Sequence, residues 1–110
     1  MKSDRLISLL KEKNAILEGH FLLTSGKHSN FYIEKFRILE DPSLLYSICD
    51  SMAKQYIDKE VDVVLGAAIG GILLAGGVGR YLSKKHIFSE RVNGKMELRR
   101  GFTISKDDKV

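Results

Sequence analysis

The chain has 110 residues, enough for one domain with a modest core and too few for two. Its 18 Lys and Arg exceed its 14 Asp and Glu by four, and the excess is scattered rather than gathered into the stripe that nucleic acid requires. A mild basic balance suits a small anionic ligand, and a single cysteine, Cys49, excludes an internal disulfide and predicts a reducing, cytoplasmic setting.

Met1-Lys2-Ser3-Asp4-Arg5 runs into a helix carrying Lys11, Glu12 and Lys13, which is not a secretory signal. Ser3 is the expected N-cap, and Leu6, Ile7, Leu9 and Leu10 give the helix one apolar side as far as Lys13. Phe21 to Thr24 reads as a short strand, Ser25 to Asn30 as a polar turn, and Phe31 to Ile38 as a second strand. Asp41-Pro42, an acidic cap before proline, starts a helix expected to reach Asp58 through Leu44, Leu45, Ile48, Met52, Tyr56 and Ile57. Cys49 lies on this helix without a histidine partner and reads as buried filler.

Val61 to Gly66 is a β-branched run of the kind buried on both faces of a parallel sheet. Ala67 to Gly71 is a small-residue turn, and Ile72 to Lys84 an apolar helix. Gly76, Gly77 and Gly79 inside that helix each cost up to about 1 kcal/mol relative to alanine, which close packing against the sheet would explain. The uncharged stretch from Val63 to Gly79 is shorter than the roughly 20 residues a bilayer needs, and its glycines interrupt it, so no membrane span is expected. His86 to Ser89 is a second parallel strand, Val92 to Glu97 a polar loop, and Leu98 to Ile104 a further strand. Lys106 to Val110 reads as a turn and the first residue of another buried strand.

Three segments carry chemistry. Gly66-Ala67-Ala68-Ile69-Gly70-Gly71 joins a buried strand to a helix, where backbone N–H groups and the helix dipole favour an anion. It is neither a dinucleotide fingerprint nor a Walker loop, and glycines needed only for tight packing would look the same. Thr24-Ser25-Gly26-Lys27-His28-Ser29 offers hydroxyls and a cation to a carboxylate or phosphate, although hairpin turns use the same residues. Glu90 to Gly101 places Arg91, Lys95, Arg99 and Arg100 around Asn93-Gly94, either as a solvated hairpin tip or as a mobile loop closing cations over a polyphosphate.

In this order and spacing, together with Leu17-Glu18-Gly19-His20-Phe21, Leu39-Glu40-Asp41-Pro42, Phe88-Ser89-Glu90-Arg91 and Leu98-Arg99-Arg100-Gly101-Phe102, these segments resemble the orotate phosphoribosyltransferase family. The resemblance implies an α/β fold of the type I phosphoribosyltransferase kind. Hood-like elements over 1–40 would precede a helix and first βαβ unit of a parallel sheet (41–90), and a mobile basic loop and strand over 91–110 would complete one incomplete domain. It also implies transfer of a 5-phosphoribosyl group from phosphoribosyl pyrophosphate to orotate, with Mg²⁺ as cofactor, in a cytoplasmic homodimer with shared active sites and no nucleic-acid or membrane partner. Breaking the bond to C1 of the ribose leaves an oxocarbenium-like sugar and a highly charged pyrophosphate, which cations and N–H dipoles must neutralise.

By position in the family, Ile69, Gly70 and Gly71 form the pyrophosphate-contacting turn. Arg91 and Lys95 match the catalytic basic loop, which in family dimers reaches into the neighbouring site. Lys27 would lie near the phosphates and Tyr32 near orotate. Many members carry an aromatic-Lys pair where this chain has Ile69-Gly70, and the loop histidine of some members has no counterpart, Met96 being nearest. Members continue into a strand, two acidic residues and a Thr-Thr-Gly turn that grips the ribose phosphate. Asp107-Asp108 is not that motif, because it precedes the expected strand. The chain is therefore expected to be truncated before the ribose-phosphate site, with its C-terminal half absent, and inactive alone. A phosphoribosyltransferase-like binding or regulatory protein and a plain structural fragment are the rival readings.

Overall fold

A computed structural model describes residues 2–110; Met1, the start of the N-terminal pentapeptide read above, lies outside the described residues. The chain divides into two compact units, one ending at Leu44 and the other running from Leu45 to Val110. In order the elements are α1 (Ser3–Glu12), β1 (Ile16–Leu22), β2 (His28–Ile33), α2 (Lys35–Leu39), α3 (Pro42–Lys54), β3 (Val63–Ala67), α4 (Gly70–Leu82), β4 (Lys85–Val92) and β5 (Lys95–Leu98).

In the first unit Ser3 is already helical and Lys2 takes the cap position without a side-chain bond, so the expected serine cap is not made. The helix stops at Asn14, whose φ of 59° is a left-handed conformation that asparagine tolerates. Ala15 follows, fully buried, donating to Leu10 O at 2.7 Å and accepting from Glu34 N–H at 2.8 Å. These two bonds fasten the hairpin β1–β2 to the end of α1. The hairpin is antiparallel, with Ile16 opposite Ile33 and Leu22 opposite His28, and a bulge between Glu18 and Phe21. Its strands differ from the sequence reading. The first begins at Ile16 rather than Phe21. The second stops at Ile33, and Lys35 to Leu39 is helical where a strand to Ile38 was expected. Phe36, Ile38 and Leu39 recur at helical rather than alternating spacing, and Leu39 is the buried one.

The helix start at Asp41-Pro42 is as expected. Asp41 Oδ1 accepts the Leu44 N–H at 3.0 Å, and Lys13 Nζ lies 3.1 Å from its other oxygen. Both hold the Asp41 carboxyl below the ordinary carboxylate range, the backbone bond more strongly. The helix ends at Lys54 rather than Asp58; turns follow, and Tyr56 and Ile57 remain exposed.

In the second unit β3 and β4 pair in parallel, from Val63 opposite Lys85 to Ala67 opposite Ser89, with α4 as the crossover. This is the expected βαβ unit. Leu45, Cys49, Ala53, Val63, Ala75, Val78 and Ile87 are its buried apolar side chains. The glycines of α4 explain how closely its parts approach. A Cβ on Gly77 would collide with Cys49 Sγ and stand 2.9 Å from Cys49 Cβ, and one on Gly79 would stand 2.7 Å from His86 Cβ on β4. Close packing is thus the role of these two, against α3 as well as the sheet. Cys49 is fully buried, and burial raises its thiol above the ordinary value, as filler rather than nucleophile requires.

Beyond β4 the polar loop expected at 92–97 is a tight hairpin. Asn93 and Gly94 have φ of 51° and 80°, the pair of positive values that a two-residue turn matching strand twist demands. β5 then pairs antiparallel with β4, Ser89 opposite Leu98 and Val92 opposite Lys95. The strand expected to run to Ile104 ends at Leu98. The segment after it is held without a ladder, by Phe102 edge-on to Phe88 at 5.1 Å and by Lys85 Nζ donating to Thr103 O at 3.1 Å.

The turn expected at Lys106 is present, closed by Asp108 N–H to Ser105 O at 3.0 Å and Ser105 N–H to Asp108 Oδ2 at 2.7 Å. Lys109 then reaches the outer edge of β3: its carbonyl accepts from Asp62 and Val63 N–H at 2.8 and 3.2 Å, and its N–H donates to Asp62 Oδ2 at 2.9 Å. Val110 lines an apolar groove of about 390 Å³ with Val63, Val64, Leu65, Val78 and Leu82. Apart from this clasp, that edge of β3 carries no paired strand among the described residues.

Candidate functional site

The turn after β3 is where the sheet's carboxyl end meets the start of a helix. Ala68 N–H donates to Ser89 O at 2.8 Å, so the turn is pinned to β4 before the chain enters α4 at Gly70. The Ala68-Ile69 peptide is cis, and Ile69 is among the most exposed large apolar side chains, at 71 %. Gly70 and Gly71 open α4 at the positive end of the helix dipole, and Ile72 N–H behind them donates to Ile69 O at 3.1 Å. A Cβ on Gly66 would strike the Gly71 carbonyl and stand 2.9 Å from Ala75 Cβ. Gly66 therefore serves packing, and Gly71 shares in it, since a Cβ there would lie 3.2 Å from the Gly66 carbonyl carbon.

Arg91 lies two residues past Ser89 on β4, at the same carboxyl end, opposite Met96 on β5. Its Nη1 donates to Gly94 O at 3.0 Å across the turn. Lys95 stands opposite Val92 and is exposed. The parallel pairing thus places Ile69, Gly70, Gly71, Arg91 and Lys95 at one end of one sheet. Lys27 and Tyr32 belong to the other unit. Lys27 closes the β1–β2 turn, its carbonyl accepting from Leu23 N–H at 2.8 Å, and exposed Tyr32 packs against Phe21 with ring centroids 5.6 Å apart.

Sequence reading missed the strongest ion pair beside the turn. Arg100 holds Glu90 through Nε and Nη2 at 3.0 and 2.9 Å. A fork of this kind needs Arg100 to double back at a φ of 63°, which nothing in the residue pattern announces. The bond to Arg100 is the main cause of a Glu90 carboxyl below its ordinary value of 4.5. A carboxyl lowered on folding stabilises fully above its unfolded value and loses that contribution as pH falls through the folded one. Melting followed from neutral pH down through the carboxylate range should show an acid-dependent loss that Arg100→Gln diminishes. The effect is small, because the pair is exposed.

No family model matches the sequence. Over all 110 residues it is 46 % identical to the orotate phosphoribosyltransferase of Chlorobium phaeobacteroides strain BS1 and 44 % identical to that of Caldicellulosiruptor bescii. Over 106 residues it is 46 % identical to that of Campylobacter jejuni. The chain is a homologue of the orotate phosphoribosyltransferases. It spans 57 %, 58 % and 52 % of the length of these three relatives. Among solved structures, 94 % of this orotate phosphoribosyltransferase homologue superposes on 56 % of the Aeropyrum pernix orotate phosphoribosyltransferase, with a TM-score of 0.68 at 28 % identity. Leishmania donovani UMP synthase matches with a TM-score of 0.75 over 92 % of this chain and 23 % of that one; at 22 % identity this speaks to fold alone. The fold is the α/β type I phosphoribosyltransferase kind expected from the sequence.

Among the described residues no three His, Cys, Asp or Glu side chains converge on one point, so no protein cage for Mg²⁺ is present. No helix is long and apolar enough to cross a membrane among the described residues.

Proposed function

We propose that this chain forms the pyrophosphate-handling part of an orotate phosphoribosyltransferase, which transfers a 5-phosphoribosyl group from phosphoribosyl pyrophosphate to orotate. The reading rests on identity of 41–46 % along the chain to proteins of that name. The N–H groups of Gly70 and Gly71, at the positive end of α4, donate to pyrophosphate oxygens, and exposed Ile69 shields the turn. Arg91 leaves its bond to Gly94 O, and with Lys95 it neutralises charge as the C1–oxygen bond breaks. Lys27 approaches the phosphates and Tyr32 the orotate ring. Mg²⁺, carried on the phosphates of the donor, adds charge neutralisation; no residue of this chain is assigned as its ligand. The protein works as a cytoplasmic homodimer sharing its sites across the dimer, in pyrimidine synthesis.

The 110 residues alone are not expected to turn over, since they span little more than half of their relatives. The test compares the chain with a chimera that adds the part of the Chlorobium phaeobacteroides relative outside the match. Orotate-dependent, Mg²⁺-dependent release of pyrophosphate by the chimera and none by the chain is the expected result. Turnover by the chain alone overturns the claim of dependence. A folded chimera that binds phosphoribosyl pyrophosphate but never releases pyrophosphate overturns the catalytic reading in favour of a binding protein.

A further inference from the structure

The β1–β2 hairpin holds a pair of histidines that the proposed reaction does not use. Leu22 stands directly opposite His28, and His20, two residues before Leu22, shares its face. The bulge between Glu18 and Phe21 alters the register beside His20, and the two rings meet diagonally with centroids 4.8 Å apart and planes 47° apart. His20 Nε2 and His28 Nδ1 are separated by 2.8 Å, and both residues are exposed.

As a hydrogen bond, the pair has one ring donating N–H and the other accepting with its lone pair. The same two nitrogens suit another occupant. An ion with imidazole bonds of about 2.0–2.1 Å holds cis nitrogens roughly 2.9 Å apart at a right angle and roughly 3.4 Å apart in a tetrahedron. The observed separation lies just below that range. Only the donating ring need move its proton to its outward nitrogen, since the accepting ring already carries its proton there, and both then turn a lone pair to a common point.

We propose that His20 and His28 form a two-imidazole chelate for a borderline transition-metal ion such as Zn²⁺, with water completing the coordination. Imidazole nitrogen selects this class over Mg²⁺, so the site is separate in chemistry from the phosphate-borne ion above. Among the described residues no carboxylate joins the pair, and Lys27 immediately precedes His28, so affinity comes from the chelate alone. Metal binding needs both imidazoles deprotonated at the ligating nitrogens, so acid competes with the ion.

Calorimetric titration of the chain with ZnCl₂ near neutral pH should give one ion per chain. His20→Asn and His28→Asn should each weaken binding at least about tenfold, and the double variant no further, because a chelate is lost whole with either arm. Both rings are exposed, so circular dichroism should show the variants folded. Imidazole ¹⁵N spectra of the unaltered chain give a second readout: Zn²⁺ should shift His20 Nε2 and His28 Nδ1 together and leave His86 unmoved. Unchanged affinity in both single variants, or ¹⁵N shifts confined to His86, overturns the proposal and leaves the pair a hydrogen bond.

Discussion

Gly76→Ala and Gly77→Ala, neighbours in one helix, should move stability in opposite directions. At Gly76 the added methyl meets only His86 Cδ2, at 3.9 Å, an ordinary contact. The gain in helix propensity, up to about 1 kcal/mol, then stands unopposed. At Gly77 the methyl enters the space of Cys49 Sγ and lies 2.9 Å from Cys49 Cβ. Over-packing of this kind costs about 1–3 kcal/mol, which exceeds the propensity gain. Cys49 is fully buried and has nowhere to go. Gly77→Val should exceed what a unit of this size can absorb and leave it without a cooperative transition. Denaturant melts of the alanine variants would show the midpoint rising for one and falling for the other. A double variant with Cys49→Ala should cost less than the sum of its parts, since removing Sγ relieves the clash. A rise for Gly77→Ala would remove the close approach of α3 and α4 from this account.

Arg91→Ala in the chimera should lower kcat by about 10²–10³-fold, the usual result of losing one preorganised group that meets developing charge. Its effect on orotate affinity should be slight, because the charge it answers grows only as the pyrophosphate departs. Arg91→Lys should recover part of the rate, keeping the charge without the fork. In the structure the guanidinium is bonded to Gly94 O, so the residue must let go of its own turn to act. That single exposed bond contributes about 1 kcal/mol, far less than the effect expected in the reaction. Steady-state rates with orotate and phosphoribosyl pyrophosphate varied separately decide it; equal losses of kcat and substrate affinity would make Arg91 a folding residue instead.

The βαβ unit was legible because its signals are local and agree: a β-branched run, small residues at the turn, and a long apolar helix before a second strand. Asp41-Pro42 was legible for the same reason, a cap and an N1 proline reinforcing one another. Lys35 to Leu39 reads either way because three apolar residues among five, with Lys35 and Arg37 between them, fit a strand or a single helical turn. The Asn93-Gly94 hairpin was weighed and left open, although that dipeptide is the strongest two-residue turn signal known from sequence. Four cations in ten residues drew attention to ligand capture instead. The Glu90–Arg100 fork and the His20–His28 pair were illegible for a different reason. Each joins residues brought together only by strand register and a left-handed or bulged backbone.

The one-sided pairing of β3 leaves a mark in the time domain. Parallel strands present successive residues' amides to opposite neighbours, and Val63 N–H points outward to Lys109 while Ala68 N–H points inward to Ser89. Val64 and Gly66 share the inward direction; Leu65 and Ala67 share the outward one, where no strand lies among the described residues. Deuterium should therefore enter this short strand unevenly, quickly at Leu65 and Ala67 and slowly at Val64 and Gly66. Any segment that came to lie along that edge, from this chain or another, would register as slowed exchange at the two outward amides, before any change in shape or activity could be seen.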